Sequence, residues 1–151
     1  MYKRWKSQFI ESQSVRGHLW QTYVLLKHSS FETNNITQNW FFDELRYAAR
    51  SLHDLHGLDK WHQNQLFKIE AMLMNLYGYG TYVLGLNSTK RISLAENLYN
   101  IGEKVVKAYF NYLNYTSSNP PLWYSGPSPP DESILGEAVE LAIDIEENLL
   151  P

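Results

Sequence analysis

The chain of 151 residues contains no cysteine, which excludes disulfides, thiolate zinc sites, iron–sulfur clusters and cysteine nucleophiles. It also lacks any run near the roughly 20 apolar residues of a membrane span. The start MYKRWKSQF has no apolar block of the secretory type, so the mature chain is expected to begin at Met1. Without other signs of export, the sequons at Asn35, Asn87 and Asn114 carry little weight. No stretch alternates with period two over a useful length, which argues against sheet, and no internal repeat is visible. The length is room for one domain around one core, too short for a two-domain enzyme.

Base is missing from one end of the chain and acid from the other, behind a net charge of −3. Residues 1–30 carry Lys3, Arg4, Lys6, Arg16 and Lys27 against Glu11 alone, whereas residues 131–151 carry seven acids and no base. The stretch between them is neutral. Such polarity implies that the two ends meet different partners, or that the tail of one copy approaches the head of another. Aromatic residues are plentiful, 22 in all, in a chain also rich in Asn, Gln and Ser. Rings with polar tips suit surfaces that are half apolar and half wet, as at interfaces and on nucleic acid.

The apolar spacing predicts helices almost throughout. A first helical region covers about residues 2–28, with Gly17 as a break, and its first half has only Trp5, Phe9 and Ile10 as large apolar anchors. After a polar loop over residues 29–36, Thr37 or Asn39 is expected to cap a second helix that Gly57 ends. Asp59 restarts the helix, and Trp61, Leu66, Ile69, Leu73, Leu76 and Tyr77 follow at three- and four-residue steps. Glycines 78, 80 and 85 point to a broken helix end or a close crossing. Ser93 and Glu96 have the spacing of a capping box for a helix reaching about Tyr115. Five of the six prolines fall in residues 117–130, after which Ser128 and Pro129 are placed to start a last helix to about Leu149. The expected fold is all-α: an antiparallel four-helix bundle preceded by a basic N-terminal helical arm. The arm and its loop occupy residues 1–36 and the bundle residues 37–151.

Catalytic constellations are sparse. His53, His56 and His62 near Asp54 and Asp59 are the best metal candidates, but Gly57 interrupts their helix and no zincin glutamate follows. A polar helix end, where histidine suits the dipole, accounts for them. Arg50 with His56 resembles the pair of HEPN-type ribonucleases, although Ser51 follows the arginine and the pair sits in an early helix. Glu137, Glu140 and Asp144 resemble one carboxylate helix of a magnesium-dependent nucleotide hydrolase, yet only Glu96 and Glu103, seven residues apart, could face them. The glycines of YGYG have neither the lysine nor the preceding strand of a phosphate loop. No catalytic residue, metal or cofactor is therefore assigned.

The N-terminal arm carries the functional signal. Lys3, Arg4 and Lys6 flank Trp5, and Ser7, Gln8, Ser12, Gln13 and Ser14 follow. Cations neutralise phosphates while amides and hydroxyls bond phosphate or sugar oxygens without reading bases. Lys3, Arg4, Lys6, Gln13, Arg16 and Lys27 are the expected nucleic-acid-binding residues.

Tyr2, Arg4, Trp5 and Phe9 reproduce a spacing near the start of the major coat proteins of rod-shaped and filamentous viruses of hyperthermophilic archaea. Tyr77-Gly78-Tyr79-Gly80, and Lys107-Ala108-Tyr109-Phe110 with Asn119-Pro120 after it, resemble that family's glycine-broken helix and its later lysine, alanine, aromatic, aromatic segment, in the same order. The resemblance implies a structural protein, assembled into virions in the host cytoplasm, whose copies pair through bundles while N-terminal helices wrap double-stranded DNA in the A form. It further implies a heterodimer with a paralogous coat protein and, in enveloped members, a surrounding lipid layer. Carried over by position, Lys3, Arg4 and Lys6 meet phosphates, and Trp5 and Phe9 seal the arm against a neighbour. Trp20, with Leu122, Trp123 and Tyr124 of the proline-rich segment, completes the expected subunit interface. The competing expectations are a nucleic-acid-associated bundle subunit of a cellular complex and a small HEPN-like ribonuclease.

Overall fold

The computed structural model describes residues 2–55, 58–117 and 133–151, with side chains described for residues 10–55, 58–112 and 133–151. Among the described residues there are six helices and no strand. These are α1 (Tyr2–Lys27), α2 (Asn35–Asp54), α3 (Lys60–Gly78), the short α4 (Gly80–Leu84), α5 (Ser88–Ser117) and α6 (Ser133–Asn148).

Helix ends follow side-chain chemistry, not always at the residues the spacing suggests. The cap of α2 is Asn34, whose side chain accepts from the amides of Ile36 and Thr37, instead of Thr37 or Asn39. Thr37 is pulled inward, its hydroxyl 3.1 Å from that of Ser30, so it cannot also serve as cap. Asp59 does cap α3, accepting from the His62 amide at 2.9 Å. The helix α5 starts one and a half turns before the Ser93 capping box, because the Asn87 side chain already accepts from the Lys90 amide at 2.9 Å. The run through YGYG is a helix break: α3 ends at Gly78, and Gly80 opens α4 with the Phe42 ring 3.3 Å from where a Cβ would stand. Gly17, by contrast, interrupts nothing, since α1 is continuous through it. The expected end at Gly57, the cap at Ser128 and Pro129, and the path of the proline-rich connection lie outside the described residues.

The five long helices form a ring in which each packs on two neighbours, in the order α1, α2, α3, α6, α5 and back to α1. Side-chain pairs give the directions. Ser14 meets Ser51 while Ser30 meets Thr37, so α1 and α2 run antiparallel. Leu19 lies against Gly102 while Arg91 reaches the Leu26 carbonyl, so α1 and α5 do too. Lys104 with Glu137, and Asn97 with Asp144, make α5 and α6 antiparallel. A ring of five cannot alternate throughout. One pair must run parallel, and it is α3 with α6, joined where Asn75 donates to Glu146 at 2.6 Å.

Apolar positions at three- and four-residue steps fill the centre: Val15, Leu19 and Leu26 from α1, Phe41, Leu45 and Leu52 from α2, Ile69, Leu73 and Leu76 from α3, Leu94, Leu98, Ile101 and Val105 from α5, and Leu135, Ala138, Ala142 and Ile145 from α6. Full burial of each large side chain contributes about 1.5–3 kcal/mol. The two polar residues of α1 inside this core, Ser12 and Thr22, do not forfeit hydrogen bonds: Thr22 donates back to the Leu19 carbonyl at 2.6 Å, and Ser12 is also partnered. From Ser12 onward, then, α1 is a layer of the fold. Arg91 fixes its far end by donating to the Leu26 carbonyl at 3.0 Å and pairing with Glu32.

Candidate nucleic-acid interface

With one side of α1 in the core and its flanks on α2 and α5, helix geometry leaves the positions near Ile10, Gly17, Trp20, Gln21, Val24 and Lys27 pointing outward. Ile10 is 58% and Trp20 46% exposed, and Gly17, Gln21 and Lys27 are also exposed. The only acid of α1, Glu11, is one turn from Ser14 and therefore on the α2 side. The outward face thus carries no carboxylate. Lys3, Arg4, Trp5, Lys6 and Phe9 occupy the first turns of the same helix, and their side chains lie outside the described set.

Gln13 and Arg16 turn toward α5, where they line an open groove of about 510 Å³ with Lys104, Lys107, Glu103 and Glu137. Its apolar floor is Val106, Phe110 and Ile134. Lys104 is held by Glu137 at 2.8 Å, whereas Arg16 and Lys107 pair with no described acid. These two cations, brought together from α1 and α5, are 91 residues apart in sequence. The spacing of apolar residues does not point to Lys107, because nothing in the sequence places α5 beside α1. Lys27 lies near the other end of α1, its ammonium donating to the Tyr23 hydroxyl at 3.1 Å, and that bond raises its pKa.

The expected metal candidates are dispersed. His53 sits 3.2 Å from Glu70, His62 is buried with its ring 2.8 Å from Asp59, and His56 lies outside the described residues. Burial opposes ionisation of Asp59, but the His62 amide and imidazole outweigh it and hold the carboxyl below its ordinary value. The Asp59 amide in turn donates to the Tyr112 hydroxyl at 2.9 Å, and burial pushes that phenol's pKa up. This cluster ties the start of α3 to the end of α5, a structural task. Among the described residues no group of three or more His, Asp and Glu side chains is arranged to hold a metal. Arg50 is exposed on α2. On α6, Glu137 meets Lys104 of α5, and Asp144 accepts from Asn97 of α5 and from Asn148 of its own helix, so both carboxylates are engaged by cation or amide.

The outer face of α6 is the electrostatic opposite of α1. Glu140, Asp144 and Glu147 are exposed there around Ile143, itself 43% exposed, and no base belongs to the helix. Leu122, Trp123 and Tyr124 lie outside the described residues. No helix of the described residues is long and apolar enough to cross a membrane. No protein-family model matches the chain, and comparisons with curated proteins and with solved structures give no match either.

Proposed function

We propose that the protein is a structural coat subunit that pairs through its helical body and lays the basic start of α1 along double-stranded DNA to build a helical filament. The observation that supports this reading best is the segregation of charge, an acid-free outer face on α1 against a base-free outer face on α6. Phosphate favours the first and is repelled by the second. The sequence resemblance to archaeal viral coat proteins points the same way.

In this reading α2, α3, α5 and α6 form a four-helix body on which α1 lies from Ser12 onward, and the turns before Ser12 are the arm. Lys3, Arg4 and Lys6 neutralise phosphates, with Gln13 and Arg16 continuing the track into the groove that Lys107 shares. Lys27 stands about 32 Å from Lys6 along the helix, beyond this phosphate track. Trp5 and Phe9 close the arm against a neighbouring subunit, as do Trp20 and, from the proline-rich segment, Leu122, Trp123 and Tyr124. A paralogous coat protein completes a heterodimer, the DNA is held in the A form, and lipid, where present, surrounds the particle.

The test is DNA binding as a function of salt. Replacing Lys3, Arg4 and Lys6 by Ala is expected to weaken binding equally for all DNA sequences and to flatten the log–log salt slope by about 0.9 for each phosphate no longer neutralised. An unchanged slope, or weakening confined to one DNA sequence, would overturn the backbone-binding reading. Electron microscopy separates a coat from a subunit of a cellular complex, since only the coat yields a repeating helical array.

A further inference from the structure

We infer that the outer face of α1 from Gly17 to Lys27 docks on the outer face of α6 in a second copy of this chain, joining copies head to tail. The inference rests on reading the protein as an assembling subunit, and not on its binding to DNA. Over these turns α1 presents Gly17, Trp20, Gln21, Val24 and Lys27, with no acid among them. The opposing stripe of α6 presents Gly136, Glu140, Ile143, Asp144 and Glu147, with no base.

Three features favour this occupant. Charge is complementary between the two faces, Lys27 of α1 against Glu140 and Glu147 of α6, whereas α6 on α6 would oppose carboxylates. Each stripe also carries an exposed apolar anchor, Trp20 at 46% and Ile143 at 43%, set among polar neighbours as in an interface core with a wet rim. The stripes match in length, since residues 17–27 rise about 15 Å and residues 136–147 about 16.5 Å. Gly17 and Gly136 add a fourth, weaker point. Among the described residues nothing from outside its own helix lies within 4 Å of a Cβ added at either glycine, whereas a docked helix can lie close to both.

The two faces cannot meet within one copy, because α5 lies between α1 and α6 in the ring. Joined between copies, each junction leaves one free α1 face and one free α6 face. Such an interface is heterologous and propagates into a closed ring or an open helix. A three-turn helix pair buries less than the roughly 1,200 Å² of a standard interface, so the single junction is weak and depends on concentration and salt.

The experiment is sedimentation of the full chain without DNA, in about 0.05 M and about 0.5 M salt. The wild-type chain is expected to grow beyond dimers with concentration at low salt and to dissociate at high salt. Glu140→Lys with Glu147→Lys, and separately Trp20→Ala with Lys27→Ala, are expected to stay monomeric with unchanged helical circular dichroism. Mixed, the two variants should give a 1:1 dimer and nothing larger, because one intact head meets one intact tail. A mixture that stays monomeric or grows past dimer overturns the junction, as does either variant assembling like the wild type. A wild-type chain monomeric throughout, with DNA affinity abolished in the Trp20→Ala, Lys27→Ala variant, assigns the α1 face to nucleic acid and also overturns it. Assembly of the wild type as expected, with no binding of DNA, would refute the phosphate track and support the junction.

Discussion

The same substitution, glycine to alanine, made at Gly17 and at Gly102 measures how firmly α1 belongs to the body. Both glycines are helical, so each replacement gains about 1 kcal/mol of helix propensity. At Gly17 the new methyl meets no described residue outside its own helix within 4 Å, and the gain should appear in full, raising Tm by about 2–4 °C. At Gly102 a Cβ would stand 3.2 Å from the Leu19 Cβ and 3.4 Å from the Arg16 Cα. Those atoms sit on or next to backbone and cannot swing aside, so α1 and α5 must part by a few tenths of an ångström. Overpacking of this kind costs about 1–3 kcal/mol, which cancels or exceeds the propensity gain. The expected gap between the two variants is at least about 1 kcal/mol, with Gly17→Ala the more stable. Urea unfolding followed by circular dichroism, in about 0.5 M salt to suppress association, reads it directly. If Gly102→Ala stabilises as much as Gly17→Ala, α1 does not lie against α5 and is a detached arm.

Leu19→Ala removes a fully buried side chain at the same crossing and is expected to cost about 3–5 kcal/mol in the same unfolding assay. Arg91→Ala takes the donor from the Leu26 carbonyl and the partner from Glu32. A destabilisation of about 1.5–3 kcal/mol is expected, with faster amide exchange in the last turn of α1; exchange unaltered there would show that Arg91 does not pin that end. Asp59→Ala removes the cap of α3 and is expected to cost about 1 kcal/mol at neutral pH, whereas Asp59→Asn keeps the cap and costs less. Because the folded-state pKa of Asp59 is lowered, its carboxylate contributes stability that is present above the unfolded value near 3.9 and disappears as pH falls through the folded one. Asp59→Asn should therefore show a shallower decline of stability below about pH 4 than the wild type, measured by urea titration at each pH.

How much of this was legible in the sequence varied with the physics behind each feature. Spacing revealed the helices, and Asp59 announced the start of α3, because no other residue nearby competes for that cap. The α2 and α5 starts misled for the opposite reason. In SSFETNNITQN several side chains can cap, and a tertiary tie between Ser30 and Thr37 selects Asn34. At α5 a polar first turn, STKR, precedes the apolar stripe and hides the true beginning at Asn87. The burial of α1 was obscured by Ser12 and Thr22, which interrupt its apolar stripe yet sit at 0% exposure. For the candidate site, the cations of α1 could be read directly, but Lys107 could not, since only folding sets α5 beside Arg16.

The odd-numbered ring has a consequence for synthesis. As the chain emerges, α1, α2 and α3 can pair in turn as successive hairpins, but α5 must skip a place to reach α1, leaving a slot beside α3 until α6 is made. Apolar side chains of α3 and α5 stay uncovered there during that interval. Helix α6 is thus a keystone. A nascent chain halted before residue 133 would present an open apolar gutter, a target for chaperones or for a stray copy's helix, and the emergence of α6, not the first hairpins, would set when the fold becomes resistant to proteolysis.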